Sequence, residues 1–321
     1  MQAIQFTDKE TAVVTDIPEV EAPGPGQALV STHRMGSCGT DISCFLGKFP
    51  FFQFPRTPGH ELGLEVLAVG EGVNHVKAGD KCSLEPYVND PMTIASKKGA
   101  SNACPNVSVI GVHEDGGLRK GAWTVPAHKL HPGNDLSYDQ LALVETLAIG
   151  YHAVQRGNPQ PGETVMVIGA GPIGLSCLEF LKLMEVKVIV LDRAEGRLGF
   201  CKELGLEHRV LAKSDASHVA EIESITDGGF CDVIIDATGH AGSMVGAFEM
   251  AAINARVVYV GITAQQLTFP QAPFFHRREI TVMASRNALP ADFPAIIQII
   301  REGRIDLERW ITHRIDISEV P

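Results

Sequence analysis

The stretch VMVIGAGPIGLSCLEF, residues 165–180, decides how the rest of the chain is read. A short apolar run is broken by Gly169, Gly171 and Gly174, and then resumes with the spacing of a helix. Strand, Gly-x-Gly-x-x-Gly, helix is the order of a dinucleotide-binding turn. Gly169 permits the tight turn. Gly171 lets the backbone approach a pyrophosphate seated on the helix N-terminus, and Gly174 lets the helix lie close to the strand. The next apolar run, VKVIVLD, ends at Asp192, 18 residues after Gly174. A carboxylate there accepts hydrogen bonds from ribose hydroxyls and repels a 2′-phosphate, which favours NAD over NADP. Arg193 and Arg197 pull the other way, because arginines hold such a phosphate. Asp192 occupies the discriminating position, so NAD ranks first. A helix-capping turn with no ligand accounts for the glycines but not for the acid at this distance.

Outward from this turn, strands alternate with helix-length segments. TVMVIGA, VKVIVLD, CDVIIDAT, ARVVYVG and EITVMAS read as strands. Residues 172–184, 194–204 and SMVGAFEMAAI (243–253) read as helices. Repeated strand–helix–strand units with near-continuous apolar strands predict a parallel sheet covered by helices. PADFPAIIQIIREG reads as one helix, and THRIDI as a strand returning to the first domain. Up to about residue 147 the texture differs. QALVST, LEVLAVG, KCSLEPY and AWTVPAH are short β runs punctuated by APGPGQ and KAGDK, the pattern of an irregular β domain.

With 321 residues the chain is too long for one comfortable core, so two domains are expected. A net charge of −11 argues against nucleic acid or an anionic membrane surface as partner. The longest nearly apolar run, residues 165–178, is too short to span a bilayer, and MQAIQFTDKE is not a signal peptide. Seven cysteines without a C-x-x-C do not form a disulfide framework, which points to a reducing cytoplasm.

MGSCGTDISC and RTPGHELG stand out in the β domain. Cys38, His60 and Glu61 offer a thiolate, an imidazole and a carboxylate, a donor set that suits zinc. Asp41 could orient His60 from behind. Taken singly, each has a plainer explanation, and the 22-residue gap between Cys38 and His60 fits no local metal motif. Glu145, in the apolar segment LVETLAIGYHAV, is a carboxylate where burial is costly unless it is paired or metal-bound.

Together these residues resemble the zinc-containing medium-chain alcohol dehydrogenases, and within them the sorbitol, threonine and sugar-acid (galactonate-type) dehydrogenases. GSCGTD, TPGHE, VGEGVNHVKAGDKC, PYVN, VIGVHEDGG, VPAHKLHP, ETLAIGYHAV, VIGAGPIGL, DATG and SRNALPADF carry the resemblance along essentially the whole chain. It implies an α/β protein. A GroES-like β catalytic domain would span residues 1–148, with 288–321 returning to it, and a Rossmann doubly wound domain would span 149–287. Cys38, His60, Glu61 and Glu145 match zinc-site positions, with Glu61 either binding zinc or standing just behind it. Glu145 matches a third protein ligand or a group holding the metal's water. Thr40 matches the hydroxyl that passes the alcohol proton outward, and Asp41 accompanies it. Gly169, Gly171, Pro172, Ile173, Gly174, Asp192, Arg197, Val260, Gly261, Ile262 and Arg286 match cofactor-contacting positions. FFQFP, Arg286 and Asn287 suit a polyol or sugar-acid substrate. Relatives are commonly dimers or tetramers, joined near TVMAS, so a homo-oligomer is expected.

Four departures qualify the match. The loop PYVNDPMTIASKKGASNAC, residues 86–104, lacks periodicity. Four cysteines that bind a structural zinc in the family correspond here to Asp90, Thr93, Ser96 and Cys104, a set that cannot close a tetrahedral zinc site. One zinc per chain is therefore expected. The lobe must then rest on hydrogen bonds and packing or on a neighbouring subunit, or else be among the most mobile segments. Second, Ser43 stands where many relatives have a relay histidine. Third, Leu64 replaces a usual glycine beside Gly63, GGLRKGAWTV is longer than usual, and Thr146 replaces a common proline, which suggests local backbone adjustment. Fourth, relatives continue past ISEVP with a helix and a strand, so the end is expected to be truncated or incompletely ordered. The reading is a zinc- and NAD-dependent dehydrogenase of a secondary alcohol. Two alternatives are a zinc-free reductase of the same superfamily, which would lack the Cys38 and GHE pair, and a non-catalytic dinucleotide-binding protein.

Overall fold

The alternation beginning at Thr164 folds as a six-stranded, wholly parallel sheet. Its strand order is His208–Leu211, Lys187–Asp192, Thr164–Ile168, Cys231–Asp236, Ala251–Tyr259 and Thr281–Ala284. Val165 pairs with Val188 on one side and Val233 on the other. The central strands are covered on both faces: Val165, Met166, Val167, Ile189, Val190, Val233 and Ile234 are fully buried. That is why they read as unbroken apolar runs. The structure, a computed structural model, describes residues 1–20, 22–49 and 52–320. FFQFP begins at Phe51, which lies outside the described residues.

By packing, the chain divides into two units, Met1–Glu145 with Leu289–Pro321, and Thr146–Ala288. The first unit is built on a five-stranded antiparallel sheet. Its strand order is Ala122–Pro126, Gln27–Gly36, Glu61–Val69, Lys81–Leu84 and Leu130–Pro132. Val30, Leu62, Leu64, Val66, Leu84 and Trp123 fill its core. Each such side chain stabilises the fold by about 1.5–3 kcal/mol through burial. Glycine falls at position 63 because a Cβ there would collide with the Tyr138 carbonyl, while Leu64 is needed in the core. The pairing of Gln27–Gly36 with Glu61–Val69 shifts register opposite this pair, between Thr32 and Arg34.

Two element assignments are corrected. SMVGAFEMAAI is not one helix: Ala241–Gly246 is helical, Ala247–Met250 is a 3-10 turn, and Ala251 already belongs to a strand and pairs with Cys231. The alanines mimic a helix. The Arg278 guanidinium ends it by donating to the carbonyls of Phe248, Glu249 and Ala251. THRIDI is not a strand. Its Ile315 is 66% exposed, so it offers no apolar face to bury. Arg314 pairs instead with Asp139, and Asp316 caps the turn Ile317–Glu319. Among the described residues, no helix is long and apolar enough to cross a membrane.

The 86–104 loop has more local structure than its sequence suggests. Tyr87–Val88 pairs with Ser108–Val109, and Ile94–Lys97 and Ser101–Ala103 form single helical turns. Turns this short leave no periodic signature. The first is set by the Thr93 side chain, which accepts from the Ser96 backbone N–H at 3.3 Å.

Candidate active site

Antiparallel pairing closes the gap between Cys38 and His60. Gly36, at the end of its strand, is registered with Glu61 at the start of the next. Cys38, two residues past Gly36, therefore meets His60, one residue before Glu61. Cys38 caps the helix Gly39–Phe45, and Asp41 in its first turn accepts from the Cys38 N–H at 3.0 Å. Asp41 also accepts from the Gly59 N–H, so one buried carboxylate ties both segments together. Its Oδ1 stands 3.6 Å from Nδ1 of His60, an ion-pair distance rather than a hydrogen bond.

The donor atoms of Cys38, His60 and Glu61 all lie within 4.8 Å of one another. His60 and Glu61 are buried, and His60 Nδ1 has no hydrogen-bond partner. The Glu61 carboxylate rests on Gly36, where any Cβ would collide with it. Glu145, 4% exposed on the helix Tyr138–Gly157, accepts a hydrogen bond from the Tyr87 hydroxyl. Thr40 and Ser43 are half-buried on the Gly39–Phe45 helix. Thr146 is buried and its hydroxyl has no partner.

Burial pushes the Cys38 thiol above its ordinary value and does the same to the Asp41 and Glu145 carboxyls. His60 also moves up although burial opposes its charge, because Cys38, Asp41 and Glu145 favour the imidazolium. A divalent cation bound here would favour the thiolate, the carboxylates and the neutral imidazole. The donor set, a thiol, an imidazole and a carboxylate drawn together in a buried place, fits zinc.

In the second unit, Gly169 adopts φ 95°, the left-handed region that a tight turn needs. A Cβ on Gly174 would collide with the Gly169 carbonyl, so the helix Pro172–Leu181 sits directly on its strand. A Cβ on Gly171 would meet nothing nearer than Arg197 Nη1 at 4.0 Å, which leaves space above the turn. Asp192 is buried; its Oδ2 accepts from the Ala170 N–H at 2.7 Å and its Oδ1 from the Ala194 N–H at 2.8 Å. Arg197 Nη1 stands 3.6 Å from Asp192. Each carboxylate oxygen keeps a second lone pair for a ligand hydroxyl. Pro172 and Arg286 are exposed, Ile173, Val260 and Gly261 are half-buried, and Ile262 is 80% exposed.

Residues 24–135 match the alcohol dehydrogenase GroES-like domain, and residues 172–302 match the zinc-binding dehydrogenase domain. The L-galactonate-5-dehydrogenase of Escherichia coli K12 is 36% identical over 92% of this chain and 86% of its own. The chain belongs to the zinc-type alcohol dehydrogenase family. The dehydrogenase also matches solved structures along its whole length. The short chain alcohol dehydrogenase rspB of E. coli CFT073, complexed with NADH, is 29% identical with a TM-score of 0.92, covering 100% of this chain and 93% of that one. A zinc-binding dehydrogenase of Sinorhizobium meliloti 1021, bound to NADP, is 27% identical with a TM-score of 0.90, covering 100% and 94%. The dehydrogenase is thus an oxidoreductase with a GroES-like and a Rossmann-type domain, of a family that works with zinc and a nicotinamide cofactor on small alcohols.

Tyr87 is the site residue that sequence reasoning missed. Nothing in the sequence marks it, because the strand it sits in is only Tyr87–Val88 and its partner Glu145 lies 58 residues away. Glu85 and Tyr87 are buried, and Glu85 receives the buried Lys129 ammonium at 2.5 Å and His131 Nε2 at 3.2 Å.

Proposed function

We propose that the chain oxidises a secondary alcohol of a polyol or sugar acid, using one zinc and NAD. Residues 1–148 with 288–321 form the catalytic domain and 149–287 the dinucleotide domain. Cys38, His60 and Glu61 hold the metal. The observation that carries this reading is the convergence of their three donor atoms, which all lie within 4.8 Å of one another. When bound, zinc supplies Lewis-acid polarisation of the alcohol oxygen and NAD supplies the hydride acceptor.

The chain's own groups do the rest. Thr40, two residues from Cys38, takes the alcohol proton through its hydroxyl and hands it outward. Ser43 cannot titrate near neutral pH as a histidine would, so the proton passes on to water. Asp41 holds the Cys38 and His60 segments together. Glu145 faces the site as a buried carboxylate. Gly169, Gly171 and Gly174, with Pro172 and Ile173, cradle the pyrophosphate, and Asp192 takes the ribose. Arg197, Val260, Gly261, Ile262 and Arg286 line the remainder of the cofactor path. The sugar-acid relative and the exposed Arg286 favour a hydroxylated, carboxylate-bearing substrate.

The 86–104 lobe binds no second zinc. Thr93 Oγ1 contacts Ser96 Oγ at 2.9 Å and Cys104 Sγ at 3.4 Å, and Cys104 Sγ approaches the Asp90 carbonyl at 3.9 Å. The Asp90 carboxylate turns away to Asn106 and the Met92 N–H. One thiol and two hydroxyls are a poor zinc set, and their mutual bonds do the holding. The strand Thr281–Ala284 ends its sheet with Val282 exposed, which supports a homo-oligomer, dimer or tetramer, formed through that edge. All seven cysteines are free thiols, which supports a cytoplasmic site of action.

A screen of NAD reduction over polyols, aldonates and L-threonine, run with zinc-loaded and chelator-treated protein, tests the reading. Turnover of a polyol or aldonate that chelation abolishes is expected. Full turnover after zinc is stripped would overturn it.

A further inference from the structure

Tyr87 is 4% exposed, and its hydroxyl is committed to Glu145. The segment bearing it has no slack. On one side Glu85 is held by Lys129 at 2.5 Å and His131 at 3.2 Å. On the other, Asn89 accepts from Lys129 at 3.4 Å and donates to Ser96 at 2.9 Å. A single buried ammonium, Lys129, thus pins both flanks of Tyr87, and the phenol cannot drift from Glu145 without breaking that pair. The group of donor atoms lying within 4.8 Å of one another comprises Cys38, His60 and Glu61, without Glu145.

We propose that Tyr87 is a positioning residue that withholds Glu145 from the metal. By holding the carboxylate in place, the phenol keeps Glu145 outside the group formed by Cys38, His60 and Glu61. Cys38, His60 and Glu61 would then hold the metal without Glu145, which leaves room for the alcohol. The Lys129–Glu85 pair and Asn89 are the rigid frame that keeps the phenol in place. This rests on the zinc reading above.

The test uses purified, zinc-loaded full-length protein: wild type, Y87F, E145Q and the double variant. Zinc per chain is measured first, then the rate of zinc loss to excess EDTA. In Y87F the freed carboxylate becomes a ligand, so zinc loss slows by about tenfold. E145Q loses zinc at the wild-type rate, because its amide oxygen still accepts from Tyr87 and no ligand has been removed. Adding Y87F to E145Q changes nothing further, which a merely structural tyrosine would not produce. Faster loss in E145Q, or unchanged or faster loss in Y87F, overturns the proposal. If Y87F does not fold, N89A, which loosens the frame holding the phenol, takes its place, with the same slower zinc loss expected and an unchanged or faster loss overturning the proposal. Wild-type protein that holds no zinc sinks the zinc reading itself, a pattern distinct from every variant result.

Discussion

Gly36 and the Glu61 carboxylate are in direct contact: a Cβ at residue 36 would occupy the space of Glu61 Oε2. The register that pairs these two residues also brings Cys38 to His60. G36A is therefore a steric probe of one ligand that leaves all the donor groups in the sequence. Zinc affinity is expected to fall ten- to a hundredfold, the order found for disturbed ligand supports. Competition with a chelating dye measures it, and an unchanged affinity would mean that Glu61 does not bind the metal.

Asp192 should set coenzyme preference. It accepts two backbone N–H bonds through a buried carboxylate, and Arg197 stands 3.6 Å away. In D192N the loss of a charged hydrogen bond to ribose costs about 1.5–3 kcal/mol, roughly ten- to a hundredfold in KM for NAD. The KM for NADP changes less or improves, since the repulsion of a 2′-phosphate is gone and Arg197 loses its partner. Steady-state KM values for both coenzymes check this; equal rises for the two would count against it.

Lys129 and Glu85 are buried and hydrogen-bonded at 2.5 Å. Removing one partner strands the other's charge, so K129M should lower unfolding stability by about 3–5 kcal/mol. The double variant K129M/E85L should recover most of that. Denaturant unfolding of the two provides the comparison, and a double variant as unstable as the single one would show that packing, not charge, dominates.

The lobe offers a contrasting case. Cys104 is fully buried but, in this account, binds no metal. C104A should leave zinc content and turnover untouched while lowering the melting temperature, because Thr93 loses a hydrogen-bond partner. Loss of zinc in C104A would place a second metal in the lobe.

The dinucleotide turn was legible in the sequence because its physics is local. Gly169 needs a positive φ, Gly174 needs no Cβ, and both demands fall within one strand–helix junction. The parallel strands were legible because burial on both faces leaves no polar alternation. Residues 243–253 misled because alanine suits a helix, while Arg278, distant in sequence, claims the carbonyls that would continue it. The metal cluster was only half legible. Its donor types could be read from MGSCGTD and TPGHE, but their meeting depends on a strand register between residues 36 and 61. Tyr87 was hidden for a similar reason. A tyrosine in a short strand carries no mark of the carboxylate 58 residues away that it will meet.

A single zinc held by Cys38, His60 and Glu61 is open to direct measurement. Metal analysis of purified wild type, C38A and C104A after zinc loading and removal of excess tests it most directly. One zinc per chain is expected in wild type and C104A, and none in C38A. Two zincs in the wild type, or one retained by C38A, would contradict it.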